Sequence, residues 1–360
     1  MQTKMKLLIA ITILALSIIF ITHSRNNTIE EKETQTVRVM ESVRSPYFLP
    51  LYLAQNLKFF EEQNLIVKIT TSSPGAIRAA LNSQRTDIAL CGIQKIIFNP
   101  DQSAKEGNSP KIFATMSLRD GSLLLGKLDN SEFQWPNLKD KSIIGNSQDD
   151  SSGIALESVL RENDLPPYRR VTIYHNIPEA LRISAFRSGT GNYIQLLEPE
   201  ASYAEIKSYG KVVASVGVAS GTMVVTAFAA MPCYIEEQPE NIQRFTNAIY
   251  KAQLWLNQHS AEEAVQVAYP SFNNLDRQVL LNSIKRYQSL KIWAENPLVS
   301  REAYENFNTA AKEAGEIASF VPYETAVITD FARQAAETIV YNQEIEKPKR
   351  NSLLRRLLNN

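Results

Sequence analysis

The chain reads as an α/β protein of two lobes, each a mixed sheet flanked by helices, the two joined by a pair of hinge strands. Three observations lead to that class. Residues 37–94 alternate strand, helix, strand, helix, strand, with small polar residues in the loops after each strand. A second series of the same kind begins at KDKSIIG (139–145), and everything beyond Pro239 carries helical periodicity. Strands separated by about 10–15 helical residues pair in parallel through right-handed crossovers, and the loops beyond their carboxyl ends form a ligand crevice. Loops 45–49, 72–76 and 91–94 should therefore lie side by side.

The elements follow in order. VRVMES (37–42) is a β-rich run, and LPLYLAQNLKFFEEQN (49–64) is an amphipathic helical segment. LIVKIT (65–70) is the second strand. SSPGA opens a short helix ending near Ser83, and TDIAL (86–90) is the third strand. After the turn-rich stretch 99–110 come the strands KIFATMSL (111–118) and SLLLGK (122–127). In the second series, SIIG leads through NSQDDSSG (146–153) into the helix IALESVLREN. VTIYHN, YIQLLE and KVVASV are strands, with helices from Pro178 to about Ser188 and from EPEAS to Tyr209. TMVVTAFAAM (222–231) is a long apolar strand. Beyond it, NIQRFTNAIYKAQLWLNQH repeats apolar residues at helical spacing, and Ser260 with Glu263 forms a capping-box pattern. KIFATMSL and VVTAFAAM bracket the second series, so they are the expected hinge. Lobe one is residues 37–118 and 224–341, and lobe two is 119–223.

Composition narrows the function. The 360 residues are 44% hydrophobic and 21% charged, with 38 acidic and 38 basic side chains. A balanced charge disfavours a nucleic-acid partner. Two cysteines, Cys91 and Cys233, make neither a zinc quartet nor a disulfide scaffold, and both are expected to be small buried residues. Lys4 and Lys6 precede the apolar run 7–22, and a polar stretch follows. Residues 1–24 are thus an export segment, with residues 25–36 a linker. A cleaved signal and an uncleaved anchor both remain open, because an anchor needs about 17–25 apolar residues and the run is slightly short. No cysteine follows it, which closes the bacterial lipoprotein route. Residues 342–360 are a basic tail with four leucines, read as a disordered end or an amphipathic helix resting on a membrane.

Candidate contact residues fall in the strand-end loops, each with a structural alternative. Tyr47 and Phe48 would wall an apolar pocket or seed the lobe core. Ser73 and Gly75 open a helix whose free N–H groups can hold an anion, or form an ordinary turn. Cys91 ends the third strand, and Gln94 offers donor and acceptor together. Ser147, Ser151 and Ser152 surround a helix start suited to an anionic group. Asp149 and Asp150 stand in the same loop and are expected to cap that helix; facing the cleft, they would favour an amine. Glu198 ends a strand before Pro199, as a hydrogen-bond acceptor for a ligand N–H or as a helix-start charge. The three histidines have no metal spacing, and no Gly-rich phosphate loop is present. No metal, no cofactor and no catalysis are expected.

LPLYLAQNLKFFEEQNLIVKI with AALNSQRTDIALCG resembles the first lobe of the exported substrate-binding proteins of ABC importers for sulfonates, taurine, nitrate and thiamine-type pyrimidines. NLKDKSIIGNSQDDSSGIALESVLRENDL is similar to that family's entry into lobe two, ALRISAFRSGTGNYIQLLEPEASYAE to its later segment, and PENIQRFTNAIYKAQLWLNQH to its helical return. The likeness runs from about residue 37 to 269, more weakly to 331. Two departures are Asn192, where the family commonly has an acidic residue, and Leu197, where it usually has an aromatic one. The resemblance implies a periplasmic-binding-protein type II fold and an acidic ligand contact at Glu198. It further implies a monomeric extracytoplasmic protein that closes on a small polar molecule and delivers it to ABC permease subunits. The alternative is a membrane-tethered ligand sensor built on the same bilobed domain.

Overall fold

The computed structural model describes residues 33–98, 109–127 and 132–342. The leader, most of the linker, the turn-rich stretch 99–108 and all of the basic tail beyond Asn342 lie outside the described residues. Among the described residues no helix is long and apolar enough to cross a membrane.

Among the described residues ten strands form two five-stranded sheets. The first has the order β2-β1-β3-β10-β4, built from β1 (Gln35–Glu41), β2 (Leu65–Thr71), β3 (Ile88–Gly92), β4 (Lys111–Ser117) and β10 (Thr226–Ala230). The second has the order β7-β6-β8-β5-β9, from β5 (Leu123–Gly126), β6 (Ser142–Ile144), β7 (Thr172–Tyr174), β8 (Tyr193–Leu196) and β9 (Lys211–Ser215). Both sheets are mixed. β1 pairs with β3 in parallel, Val39 opposite Ile88, while β10 runs antiparallel to β3 and β4. In the second sheet β6 is parallel to β7 and β8, and β5 is antiparallel to β8 and β9.

Helices cover both faces of each sheet, which is why the central strands read as continuous apolar runs. Along β3 and β10 the side chains alternate between two cores. Leu90 and Phe228 join the cluster containing Phe113, Phe245 and Trp255; Ala89, Cys91, Ala227 and Ala229 join the one containing Tyr304 and Phe307. The second sheet likewise sends Leu124, Ile143 and Tyr193 to one side and Leu125, Ile144 and Ile194 to the other.

The chain passes from sheet to sheet directly after β4 and directly before β10. Met223 N–H donates to Leu118 O at 2.9 Å and Val216 N–H to Ser122 O at 3.0 Å, so the outgoing and returning segments touch. A Cβ on Gly217 would stand 1.9 Å from the Asp120 carbonyl oxygen, and only glycine permits that approach.

Three expectations change. The segment 49–64 is two helices, Leu49–Asn56 and Phe59–Glu62, broken where Lys58 turns left-handed (φ 65°). The break lets Phe59 and Phe60 both bury their rings. The strand 222–231 is shortened to Thr226–Ala230, because Val224 and Val225 bond to Ala303 and Ile93 at the crossing instead of to a strand neighbour. Cys91 is fully buried, but Cys233 is only half-buried. The Ser260–Glu263 capping box is present in full.

Candidate ligand-binding cleft

The carboxyl ends of β1, β3, β6 and β8 converge between the sheets, and polar side chains tie the two sides together at two places. At the first, Gln94 follows β3 and its Nε2 donates to Asp150 Oδ1 at 3.1 Å, while its Oε1 accepts from Ser151 Oγ. Beside it Lys95 Nζ lies 2.5 Å from Asp149 Oδ2. A Cβ on Gly92 would fall 2.3 Å from Gln94 Oε1 and 2.5 Å from Ser151 Oγ, so this glycine makes room for the contact. The Lys95 hydrogen bond, with Ser147, holds the Asp149 carboxyl below its usual range, whereas burial pushes Asp150 up.

At the second place Glu198 is fully buried two residues past the end of β8, which stops at Leu196 short of the expected strand end. Its carboxylate accepts from Ser202 N at 3.0 Å, Ser202 Oγ at 3.0 Å, Ser283 Oγ at 3.1 Å and Arg286 Nη1 at 2.5 Å. Its N–H donates to Tyr287 Oη at 2.9 Å, and its carbonyl accepts from Ser45 Oγ at 2.9 Å. Burial raises the carboxyl pKa and Arg286 opposes it. Four donors and no acceptor surround the two oxygens, a set that fits the ionised form. Arg286 also pairs with Glu205. Ser283, Arg286 and Tyr287 lie on the helix Arg277–Ser289, whose Leu280, Ile284 and Tyr287 pack in the first sheet's core. Glu198 is thus clasped from the opposite lobe.

Around the clasp lies a cavity of about 70 Å³, lined by Val43–Ser45 from the β1 loop, Asn146 after β6, the helix Glu179–Arg187, and residues 196–200. It holds only a few water-sized groups. Arg182 Nη1 donates to Asn146 Oδ1, and Asn146 N–H donates to Gln195 Oε1 at 3.1 Å. Arg44 Nε is 3.3 Å from the buried Glu41. Glu200 is half-buried, and its burial, with Glu179 and Glu198 nearby, pushes its carboxyl up to about 7. Beneath the cavity, fully buried Asp120 accepts from Ser122 N at 2.9 Å and Ser152 Oγ at 2.6 Å, and Gln195 Nε2 donates to Ser122 Oγ at 2.7 Å. Such a paired network keeps the strand-end loops rigid.

Each residue singled out from the sequence has a definite place. Gln94 and Ser151 meet at the first place, Ser152 bonds to Asp120 and Glu198 stands at the second; of these four only Glu198 lines the cavity. Tyr47 is 5% exposed; its Oη bonds to Ser117 and Arg119 at the crossing, and its carbonyl accepts from Trp293 Nε1 at 2.9 Å. Phe48 and Cys91 are packed in the two cores of the first lobe and do not reach the cavity. Ser73, Gly75 and Ser147 are exposed, and the cavity lining does not include them. Asp150 sits at the N-cap of the helix Ser151–Glu162 but makes no cap bond, because its carboxylate is turned to Gln94. Asp149 is committed to Lys95 and Ser147. Asn192 caps the start of β6, donating nothing to the cavity: its Oδ1 accepts from Ser142 N at 2.9 Å. Leu197 does line the cavity. The residues that sequence reasoning missed are Arg44, Asn146, Arg182, Glu200 and Arg286. Asn146 opens the NSQDDSSG loop already singled out, and Arg44 directly precedes the marked loop 45–49. Nothing local marks Arg182 or Arg286.

Two mixed sheets flanked by helices, joined by two crossing strands with polar loops facing one gap, define the periplasmic-binding-protein type II fold. The solved structures agree. The ligand-binding component of an ABC-type import system from Staphylococcus aureus superposes with a TM-score of 0.66 at 16% identity, covering 84% of this chain and 99% of that one. The alkanesulfonate-binding protein SsuA of Xanthomonas axonopodis, bound to MOPS, gives 0.64 at 16% identity, covering 82% and 99%. No protein-family model matches the chain. In sequence it is 34% identical over 308 residues to the Bacillus subtilis protein named "Putative binding protein YtlA", which spans 85% of this chain and 91% of the relative. The chain belongs to that family of binding proteins.

Proposed function

We propose that the chain is an extracytoplasmic solute-binding protein that captures a small polar molecule between its lobes and hands it to an ABC importer without making or breaking a bond. The observation that carries this reading is the cavity at the lobe junction, lined from both sides and ringed by side chains of both signs. Residues 37–118 with 224–341 would be one lobe and 119–223 the other, turning about the crossing segments. A ligand that touches both lobes binds the closed arrangement better than the open one, and that difference drives closure.

The lining favours a small zwitterion. Arg44 and Arg182, with the Asn146 amide, suit an anionic head, while Glu179 and Glu200 suit an amine. Glu198 holds the lobes, with its oxygens already taken. The sulfonate-binding neighbour supports an anionic head as one half of the ligand.

The test is a thermal-shift screen of the full chain against aminosulfonates, alkanesulfonates, nitrate, pyrimidines and simple amines. A ligand at about 100 times its Kd adds about 2.7 kcal/mol of stability, a shift of a few degrees. Arg182→Ala should abolish the response to anions, and Glu200→Gln should weaken amine-bearing ligands selectively. No shift with any compound, or an unchanged response in Arg182→Ala, defeats the proposal.

A further inference from the structure

We propose that the chain carries a second small-molecule site, for an aromatic amino acid or a zwitterion of the same chemistry, behind the crossing between the lobes. A cavity of about 400 Å³ lies between the carboxyl ends of the helices Pro239–Gln258 and Arg277–Ser289 and the loop that follows the second. That is several times the space at the lobe junction and within the roughly 300–1,000 Å³ that small-molecule sites occupy.

Its floor and its mouth have different chemistry. Leu256, Tyr287 and Trp293 form the floor, each less than a tenth exposed. His259 makes one wall, stacked on Trp255 with centroids 4.0 Å apart and planes 5° from parallel. Its Nδ1 is 2.7 Å from the Trp255 carbonyl, which holds the ring in place. Its ring also meets Tyr341 (centroids 5.7 Å), so what the cavity reaches is the fixed apolar edges of Trp293, Leu256 and His259, which can pack against a planar ring.

At the mouth stand Asn257, Lys291 and Glu295, all exposed. Among the described residues none of these three side chains has a hydrogen bond or an ion pair. Lys291 has a left-handed backbone (φ 50°) just beyond the helix end, its N–H bonded to Gln288 O at 3.1 Å. Glycine is the favoured residue there, and a side chain costs about 1 kcal/mol. The Lys291 side chain nevertheless stands at the opening and brings a cation to it. An uncommitted cation, carboxylate and amide around an aromatic floor match the α-carboxylate, α-ammonium and ring of one molecule.

The site is also one side chain from the junction. Tyr287 Oη accepts the Glu198 N–H, and Trp293 Nε1 donates to the Tyr47 carbonyl.

The experiment is calorimetric titration of the full chain with L-phenylalanine. Saturable binding with a Kd below about 1 mM is expected. Lys291→Glu should weaken it about tenfold or more by turning attraction into repulsion, and phenethylamine, which lacks the carboxylate, should bind correspondingly worse. Asn257→Tyr, which obstructs the mouth, should abolish binding. Both positions are exposed, so melting temperatures should hold. Arg182→Ala must leave the titration unchanged, which separates this site from the junction. No heat up to about 10 mM, equal binding by Lys291→Glu, or loss in Arg182→Ala would each overturn the proposal.

Discussion

Removing Arg286 tests the clasp between the lobes most directly. In Arg286→Ala the fully buried Glu198 keeps three neutral donors (Ser202 N, Ser202 Oγ and Ser283 Oγ) but loses its counter-ion. Breaking a buried pair by deleting one partner costs about 3–5 kcal/mol. Because Arg286 is itself 21% exposed, the lower end applies, and the pairing with the partly exposed Glu205 adds under about 1 kcal/mol. We expect a loss of about 3 kcal/mol at neutral pH, measured by urea unfolding at constant m-value. The sign with pH follows from the same geometry. Arg286 lowers the Glu198 pKa against the pull of burial, so its removal lets the raised value climb further. The folded variant then holds a proton that the unfolded chain releases near pH 4.3, and its deficit relative to the parent must grow as pH rises from 5 to 8. Glu198→Gln in the Arg286→Ala background removes the stranded charge while its amide can still accept from Ser202 N and donate to a serine oxygen. About 2 kcal/mol should return. A single-variant loss below about 1 kcal/mol, or a double variant no better than the single, would show that Glu198 and Arg286 do not hold the lobes.

Burial raises the Glu200 carboxyl from its ordinary 4.5 to about 7, so the folded chain keeps the proton longer than the unfolded one. Stability should fall as pH rises through that window by at most about 3 kcal/mol, and Glu200→Gln should flatten the profile. The Cys91 thiol is fully buried and pushed up to about 12. At pH 8 only about one in ten thousand is thiolate, so an alkylating reagent should label the native protein at Cys233 alone and the unfolded chain at both, read by peptide mass. Gly217→Ala places a methyl against the Asp120 carbonyl at the crossing and should cost about 2 kcal/mol or more, visible as a lowered urea midpoint.

The first lobe was legible because its signals are local. Parallel strands with apolar alternation, turn residues and a capping box act over a few neighbours, and β1, β2, β3 and the Ser260 cap stand where the pattern puts them. The strand-end loops were also legible as a place, and Gln94 and Ser151 do meet there. The cavity's chemistry was not. Asp149 and Asp150 read as helix-capping residues because their partners, Lys95 and Gln94, lie more than fifty positions away.

By itself, then, the order of residues determined two βαβ series, the strands that carry the chain between them, and the gap toward which their loops turn. Those follow from periodicity and turn chemistry, which neighbouring residues set. Only the folded chain decided which side chains face that gap with free hydrogen-bonding capacity. A helix about eighty residues beyond Glu198 brings Arg286, Ser283 and Tyr287 onto it and turns an expected ligand contact into a fastening between lobes. Arg182 and Glu200 line the cavity and, under the proposed function, are left to meet the solute. Burial and long-range pairing settle such roles, and neither is written in any short stretch of sequence.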